Sequence, residues 1–481
     1  MKKIISILAI VSVIMVSCKK SFIEINPESA VGVDAVYKTD KDFQDATTGV
    51  YSTYADQYQN FWLFGDMRAD DSWQQVIKNS SQYFMDVFTT NSSDGVISST
   101  WLNYYKIIYG TNTILTKIEA ADAAVVTNKK RYIAEAKFLR ALAYFDLVRI
   151  FGDVPLLTKP VTIDESYKIG REKAEAVYTQ VIIPDLIAAE ADLPAKYSGA
   201  EVGRVTKGAA ASLLGKVYLY RKDFVNAETK FQQVTTMGYS LLPVYNDLFN
   251  YTKDEHHSEY IFDIEYEQGF GRGSIFTNRF LPNSGPMATF YGVNGTLDEA
   301  NSPTQNLINA FTAGDLRKDI TVGISGGFIN GAGTFVALPA QTSQTYTKKY
   351  LTPVLTGNDS RANWKVIRYG DVLLMYAEAL NENGKTTQAL TVLNQIRTRA
   401  GVPTYSGLTQ GDTREKIYLE RRLELSFEGS RWFDLVRTGR AFTTMKATGM
   451  LEYMTVFPVP LTQIQLINNP SLFPQNPGYG Q

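Results

Sequence analysis

One cysteine and two histidines occur in 481 residues. A single cysteine excludes a disulfide within the chain and any zinc site built on clustered cysteines. The two histidines, His256 and His257, are neighbours, so their side chains diverge on a helix or a strand, and no H-E-x-x-H spacing surrounds them. No metal site and no cofactor are expected. The glycines of "GFGRGS" lack the G-x-G-x-x-G spacing and open no helical pattern, which removes a phosphate cradle. Charge of one sign is lacking too: 48 basic and 49 acidic residues leave a net charge of -1. No global field therefore draws the chain to nucleic acid or an anionic bilayer. What the chain has in excess is aromatic surface, with 29 Tyr, 25 Phe and 5 Trp making 12% of it. Such rings fill cores, and they also stack on ligands.

The lone cysteine is Cys18, and its setting accounts for it. Lys2 and Lys3 precede an apolar run from Ile4 to Val16, broken only by Ser6 and Ser12. A basic start and a short apolar run make a secretory signal peptide, not a spanning helix of about 20 apolar residues. Met15, Val16 and Ser17 then resemble a bacterial lipobox, with methionine where leucine is usual. The expected leader is 1–17, and Cys18 is the expected lipid-attachment residue. No later segment is long and apolar enough to cross a bilayer, so the mature chain is expected to be anchored by acyl chains.

Beyond the anchor, apolar residues recur at helical spacing over 42–58, 97–120 and 129–151. In "AEAKFLRALAYFDLVRIFGDVPLL" they surround most of the helix, which implies deep burial. Further helices are expected at 171–192, 206–220 and 223–236, and 60–94 reads as irregular. Leu214, Gly215 and Tyr218, followed by Ala227 and Phe231, fit the tetratricopeptide spacing, which recurs at Ala377, Leu380, Ala389 and Leu393. From Glu259 to Trp364 the helical period fades into strand and turn chemistry, with "EYIFDIEYE" alternating like a strand.

Six stretches in order are similar to the SusD/RagB family of nutrient-uptake lipoproteins: "WLNYYKIIYGTNTIL", "AEAKFLRALAYFDLVRIFGDVPLL", "IRYGDVLLMYAEALNENG", "LNQIRTRAGVP", "ERRLELSFEGSRWFDLVRTG" and "FPVP…NNPSLFPQNPGY". The resemblance implies a mainly α fold with tetratricopeptide-like helix pairs and a loop-rich insert carrying short strands. Its expected bounds are a domain over 18–481, with a helical scaffold at about 30–258 and 365–481 and a ligand-binding insert at about 259–364. It also implies a noncatalytic, outer-membrane lipoprotein at the cell surface. That protein would capture an oligosaccharide and pass it to a TonB-dependent, SusC-like transporter. A peptide ligand, as for RagB-like members, is the alternative.

Two constellations bear on this directly. Glu420, Glu424 and Glu428 recur every fourth residue, flanked by Arg421, Arg422 and Arg431. A glycoside hydrolase needs carboxylates facing each other across a cleft, one with a raised pKa. Carboxylates stacked along one helix among arginines are instead expected to be ionised structural pairs. The same reading covers Asp434 with Arg437 and Asp146 with Arg149. A sugar, by contrast, offers an apolar C–H face and a rim of hydroxyls, matched by flat rings beside amides and charged groups. "FWLFGDMRADDSW", "MATFYGVN" and "RANWK" supply those residue types. The expected ligand-binding residues are Asp70, Asp71, Trp73, Trp101, Asn103, Tyr291 and Trp364.

Overall fold

The computed structural model describes residues 36–74, 77–323, 327–329, 335–337 and 345–480. Cys18 and the leader expected at 1–17 lie outside these residues. Helix α1, Asp40–Tyr58, begins at a capping box. The Thr39 side chain accepts the Asp42 N–H and the Asp42 carboxylate accepts the Thr39 N–H at 2.8 Å. It packs on α2, Gly95–Glu119, which Asp94 caps, and on α3, Lys129–Phe151. Helix α3 is buried around nearly its whole circumference, as its continuous apolar pattern requires. Gly152, at φ +74°, ends it.

The segment expected as one helix over 171–192 is broken. A short turn at Ala174–Val177 runs into a widened π turn at Tyr178–Ile182, and only then comes α4, Ile183–Asp192. Pro184 is the cause, since it cannot donate to the carbonyl of Gln180 and its ring crowds that position. Helices α5, Lys207–Tyr220, and α6, Phe224–Thr235, form the first tetratricopeptide-like pair. Gly215 makes it possible: a β-carbon there would lie 2.6 Å from the ring of Phe231. Helices α7, Tyr369–Glu382, and α8, Thr386–Arg399, repeat the arrangement, and α7 stacks directly on α6. Helices α9, Gln410–Glu424, and α10, Arg431–Arg437, close the body. Among the described residues no helix is long and apolar enough to cross a membrane.

Among the described residues six short strands form three antiparallel pairs: β1 (Ser72–Trp73) with β3 (Ser302–Pro303), β2 (Tyr260–Ile264) with β6 (Trp364–Arg368), and β4 (Gly327–Ile329) with β5 (Phe335–Ala337). Strand β2 lies where the alternation placed it, but Ile261 to Ile264 are all buried. Helices α1 and α5 pack on it and β6 pairs along its edge, so Asp263, on the side expected to be wet, instead meets Lys365 across the ladder at 2.9 Å. The loop-rich stretch between β2 and β6 thus leaves the scaffold and returns to it on one ladder. The region 60–94 is more regular than its sequence suggests, with helical turns at Phe61–Gly65 and Ser81–Asp86. Its backbone runs deep in the body, since a β-carbon on Gly65 would meet the Gly429 carbonyl at 2.2 Å.

Candidate ligand-binding site

The loop "FWLFGDMRADDSW" turns inward. Trp62, Phe64 and Met67 are core residues, and the Arg68 guanidinium lies over the rings of Phe88, Trp432 and Phe457 at 4.7, 5.2 and 4.1 Å. Asp70 and Asp71, expected to meet a ligand, are engaged within the protein. Arg431 donates to both Asp70 oxygens at 2.7 and 2.9 Å, and Arg422 Nε donates to Asp71 Oδ1 at 2.6 Å. Loops 66–73 and α9–α10 approach only because these cations balance the carboxylates. The pairs therefore tie the loop down. Trp73 is different: its ring is 42% exposed on β1, opposite Ser302.

Two of the remaining tryptophans are corrected from ligand contact to packing. Trp364 is 1% exposed, stacked on Tyr350 at 5.3 Å and 7° and wedged against Phe61 and Phe276. Both of its faces are occupied. Trp101 is 2% exposed and meets Phe151 and Phe473 edge-on. It borders a shallow apolar groove that shares no residue with the Tyr291 cleft described next. Asn103, half-buried on the same helix, is not among the residues lining either.

Tyr291 is where the expected chemistry assembles. The short helix Gly285–Tyr291 begins with a proline in its first turn and stops at Gly292, whose φ of +66° is the left-handed conformation a glycine supplies without strain. This stop presents Phe290 and Tyr291 side by side, ring centroids 4.9 Å apart at 89°. The Tyr291 hydroxyl shares a 2.5 Å hydrogen bond with that of Tyr346, and burial pushes its pKa up. The position of Tyr346 depends on Gly323, where a β-carbon would lie 2.4 Å from the ring. Phe249, Tyr251, Asn246 and Asn250 line the same cleft, which Leu351 and Pro353 help complete, with a volume of about 360 Å³. Lys348 reaches it from an ion pair with Asp319 at 2.8 Å, its pKa lowered by burial.

Ring faces, side-chain amides and the Thr289 and Thr352 hydroxyls line this cleft, and among the described residues no aspartate or glutamate does. An acid and base pair for bond cleavage is therefore not assembled there. The expectation had not included Phe249, Tyr251, Asn246 or Lys348. Two aromatics bracketing an asparagine in "LFNYTKDEH" were the available signal, but nothing local tells such rings from core.

The glutamate series is structural, with a difference in its partners. Glu424 receives Arg368 at 2.6 Å, Arg399 at 2.5 Å and Arg317 at 3.2 Å. Glu428, just past the end of α9, pairs with Arg368 and Lys349, both at 2.7 Å. Burial alone would raise Glu424, yet Arg399, Arg368 and Arg317 hold its carboxyl well below the usual range. A carboxylate so held cannot serve as a general acid. The arginines adjacent in sequence are used elsewhere: Arg421 on Asp371 and Asp434, Arg422 and Arg431 on the 70–71 loop. Asp434 also pairs with Arg437 at 2.7 Å, and Asp146 with Arg149.

A family model described as the SusD family matches residues 325–479, and a second, described as starch-binding and associating with the outer membrane, matches residues 21–219. The chain belongs to the SusD family. It is 26% identical to SusD-like protein P25 of Formosa agariphila over 95% of both chains. It is 25% identical to a SusD-like protein of Bacteroides ovatus, covering 91% of this chain and 82% of that one. A laminarin-binding SusD-like protein of known structure superposes with a TM-score of 0.77 at 29% identity, over 92% of this chain and all of that one. Surface glycan-binding protein A from Bacteroides thetaiotaomicron, in complex with laminarihexaose, shares the fold at a TM-score of 0.77 and 20% identity over 91% of this chain. The mainly helical SusD fold expected from the sequence is the fold observed.

Proposed function

We propose that this SusD-family chain is a noncatalytic glycan-binding lipoprotein. Lipid-anchored through Cys18 after removal of residues 1–17, it would capture oligosaccharide outside the outer membrane and deliver it to a TonB-dependent, SusC-like transporter. The observation that carries the binding role is the cleft of Phe249, Tyr251, Phe290 and Tyr291, rimmed by amides and hydroxyls and lacking carboxylates. Rings present flat apolar plates to the C–H faces of a pyranose, while Asn246, Asn250 and Thr289 can exchange hydrogen bonds with its hydroxyls. Exposed Trp73, on β1, offers a further plate. The laminarin-binding relative makes a β-glucan the first ligand to try.

Retention on immobilised laminarin, on amylopectin and on a peptide library tests the reading. Retention on a glycan, weakened by Phe290→Ala and Tyr251→Ala, is expected. Retention on peptides alone would remove the sugar, and release of reducing ends from laminarin would remove the noncatalytic role. Mass spectrometry of the mature amino terminus tests the anchor, with an acylated Cys18 expected and a free thiol fatal to it.

A further inference from the structure

The groove beside Trp101, of about 130 Å³, lies between α2, the 155–169 stretch and the short helix Leu461–Ile467. Apart from Ser166 and Gln463, every residue lining it is apolar or aromatic. Two of its leucines face water, Leu102 at 47% exposure and Leu466 at 54%. Ile163 and Tyr167, on either side of Ser166 in the chain, are exposed as well. Apolar residues scattered singly over a surface need no explanation, but a set gathered around one groove marks a face that something covers. A sugar would find few hydrogen-bond partners here, since the Tyr105 hydroxyl is already committed to the Pro155 carbonyl at 2.8 Å.

The place where the described chain starts decides what the covering group is. Tyr37 sits against α2: burial and the neighbouring Tyr109 raise its pKa, against the pull of Lys117. On α2, Leu102, Lys106 and Tyr109 are spaced i, i+4, i+7 and all three are exposed. They form one stripe that leads from Tyr37 to the groove, with Tyr109 about 10 Å from Leu102 along the helix axis. Ahead of Tyr37 the sequence holds "SFIEINP", whose Phe22, Ile23 and Ile25 are an apolar cluster just past Cys18. The eleven residues from Ile25 to residue 36 can span about 36 Å, more than the length of the stripe. Charge agrees with this occupant, since Glu24 stands between the two isoleucines and Lys106 stands on the stripe.

We propose that the chain's own amino-terminal segment docks in this groove, with Ile23 and Ile25 on its apolar floor and Glu24 beside Lys106. Cys18 then stands four residues, at most about 14 Å, from the groove. The docking itself does not rest on the reading of Cys18 as an anchor. Its consequence does: an acyl group held there turns this end of α2 toward the membrane and gives the body one orientation on it.

Disulfide trapping in the chain from residue 18 onward tests it. Cys18→Ser removes the only cysteine, so only an introduced pair can bond, and it must come close to do so. Under mild oxidation by diamide, Ile23→Cys should link to Leu466→Cys at least about tenfold faster than to Val225→Cys. Val225 is an exposed residue of α6, a helix packed on α5 and α7. Leu466, Leu102 and Val225 all face water, so changing them leaves the body folded. Leu102→Asp puts a charge at the groove and should cut the preference for Leu466 at least about threefold. Equal rates at Leu466 and Val225 overturn the docking, as does a preference that Leu102→Asp leaves untouched. Linkage of Leu466→Cys between two chains, in place of the internal link, assigns the groove to a second copy and also overturns it. These chains carry no acyl group, so the outcome stands apart from whether Cys18 is the anchor.

Discussion

Arg368 and Glu424 meet at 2.6 Å where neither side chain is more than 1% exposed. Around them Arg399, Glu259 and Glu428 complete a buried network, and Arg317 and Lys349 enter it from the insert. Glu424→Gln would leave three guanidiniums facing a neutral amide, a class of change that costs about 3–5 kcal/mol. Urea denaturation at pH 7 measures it. Because the folded pKa of Glu424 is depressed, its contribution is present above the unfolded carboxylate value of about 4.3 and is lost as pH falls toward the folded value. A variant as stable as the parent would refute the assigned role.

Trp73 and Trp364 should separate cleanly. Trp364→Ala removes a ring packed on Tyr350, Phe61 and Phe276 and should cost about 3–5 kcal/mol, read as a lowered thermal midpoint. Trp73→Ala should leave stability within about 0.5 kcal/mol. Its laminarin affinity should fall about three- to tenfold, the scale of one lost stacking contact. Unchanged glycan affinity would remove Trp73 from the site.

Gly215→Ala places a methyl 2.6 Å from Phe231, so α5 and α6 must separate or the ring must move. Overpacking of this kind costs about 1–3 kcal/mol. Combining it with Phe231→Leu should restore part of the loss, which thermal unfolding of the single and double variants would reveal. Strict additivity would show that the two positions do not share the strain.

Asp86 provides a pH test, since among the described residues it has no cationic partner. Burial raises its carboxyl to about 6, opposed by the N–H of Gln74, which donates to it at 3.0 Å. The folded pKa lies above the unfolded one, so the protein is penalised as pH rises from about 4 to 6 and keeps the full penalty beyond that. Asp86→Asn retains an acceptor for Gln74. It should be more stable than the parent by about 1–2 kcal/mol above pH 6, after allowance for partial solvation, and should converge with it below about pH 4. Denaturation midpoints across that range check the sign.

The helical body was legible because periodicity is a local signal. Helix α3 occupies the expected range at 129–151, and the Gly215–Phe231 spacing encodes a contact that the fold makes. Pro184 lies inside the expected helix, and periodicity alone does not register the turn that widens around it. The site was far less legible. Asp70 and Asp71 resembled a ligand rim because their arginine partners lie some 350 residues away, and no local pattern reports such a pairing. Trp364 and Tyr291 both sit in irregular sequence, and only packing distinguishes the ring that is enclosed from the one that borders a cleft.

Arg317 and Lys349, carried by the insert, have their counterions on or just past α9, in Glu420, Glu424 and Glu428. Transplanting this loop-rich segment alone would leave Arg317 with Asp315 but without its α9 carboxylates, and would bury Lys349 without its counterion. A workable chimera has to import the acceptor glutamates along with it, so the segment and its support travel as a unit.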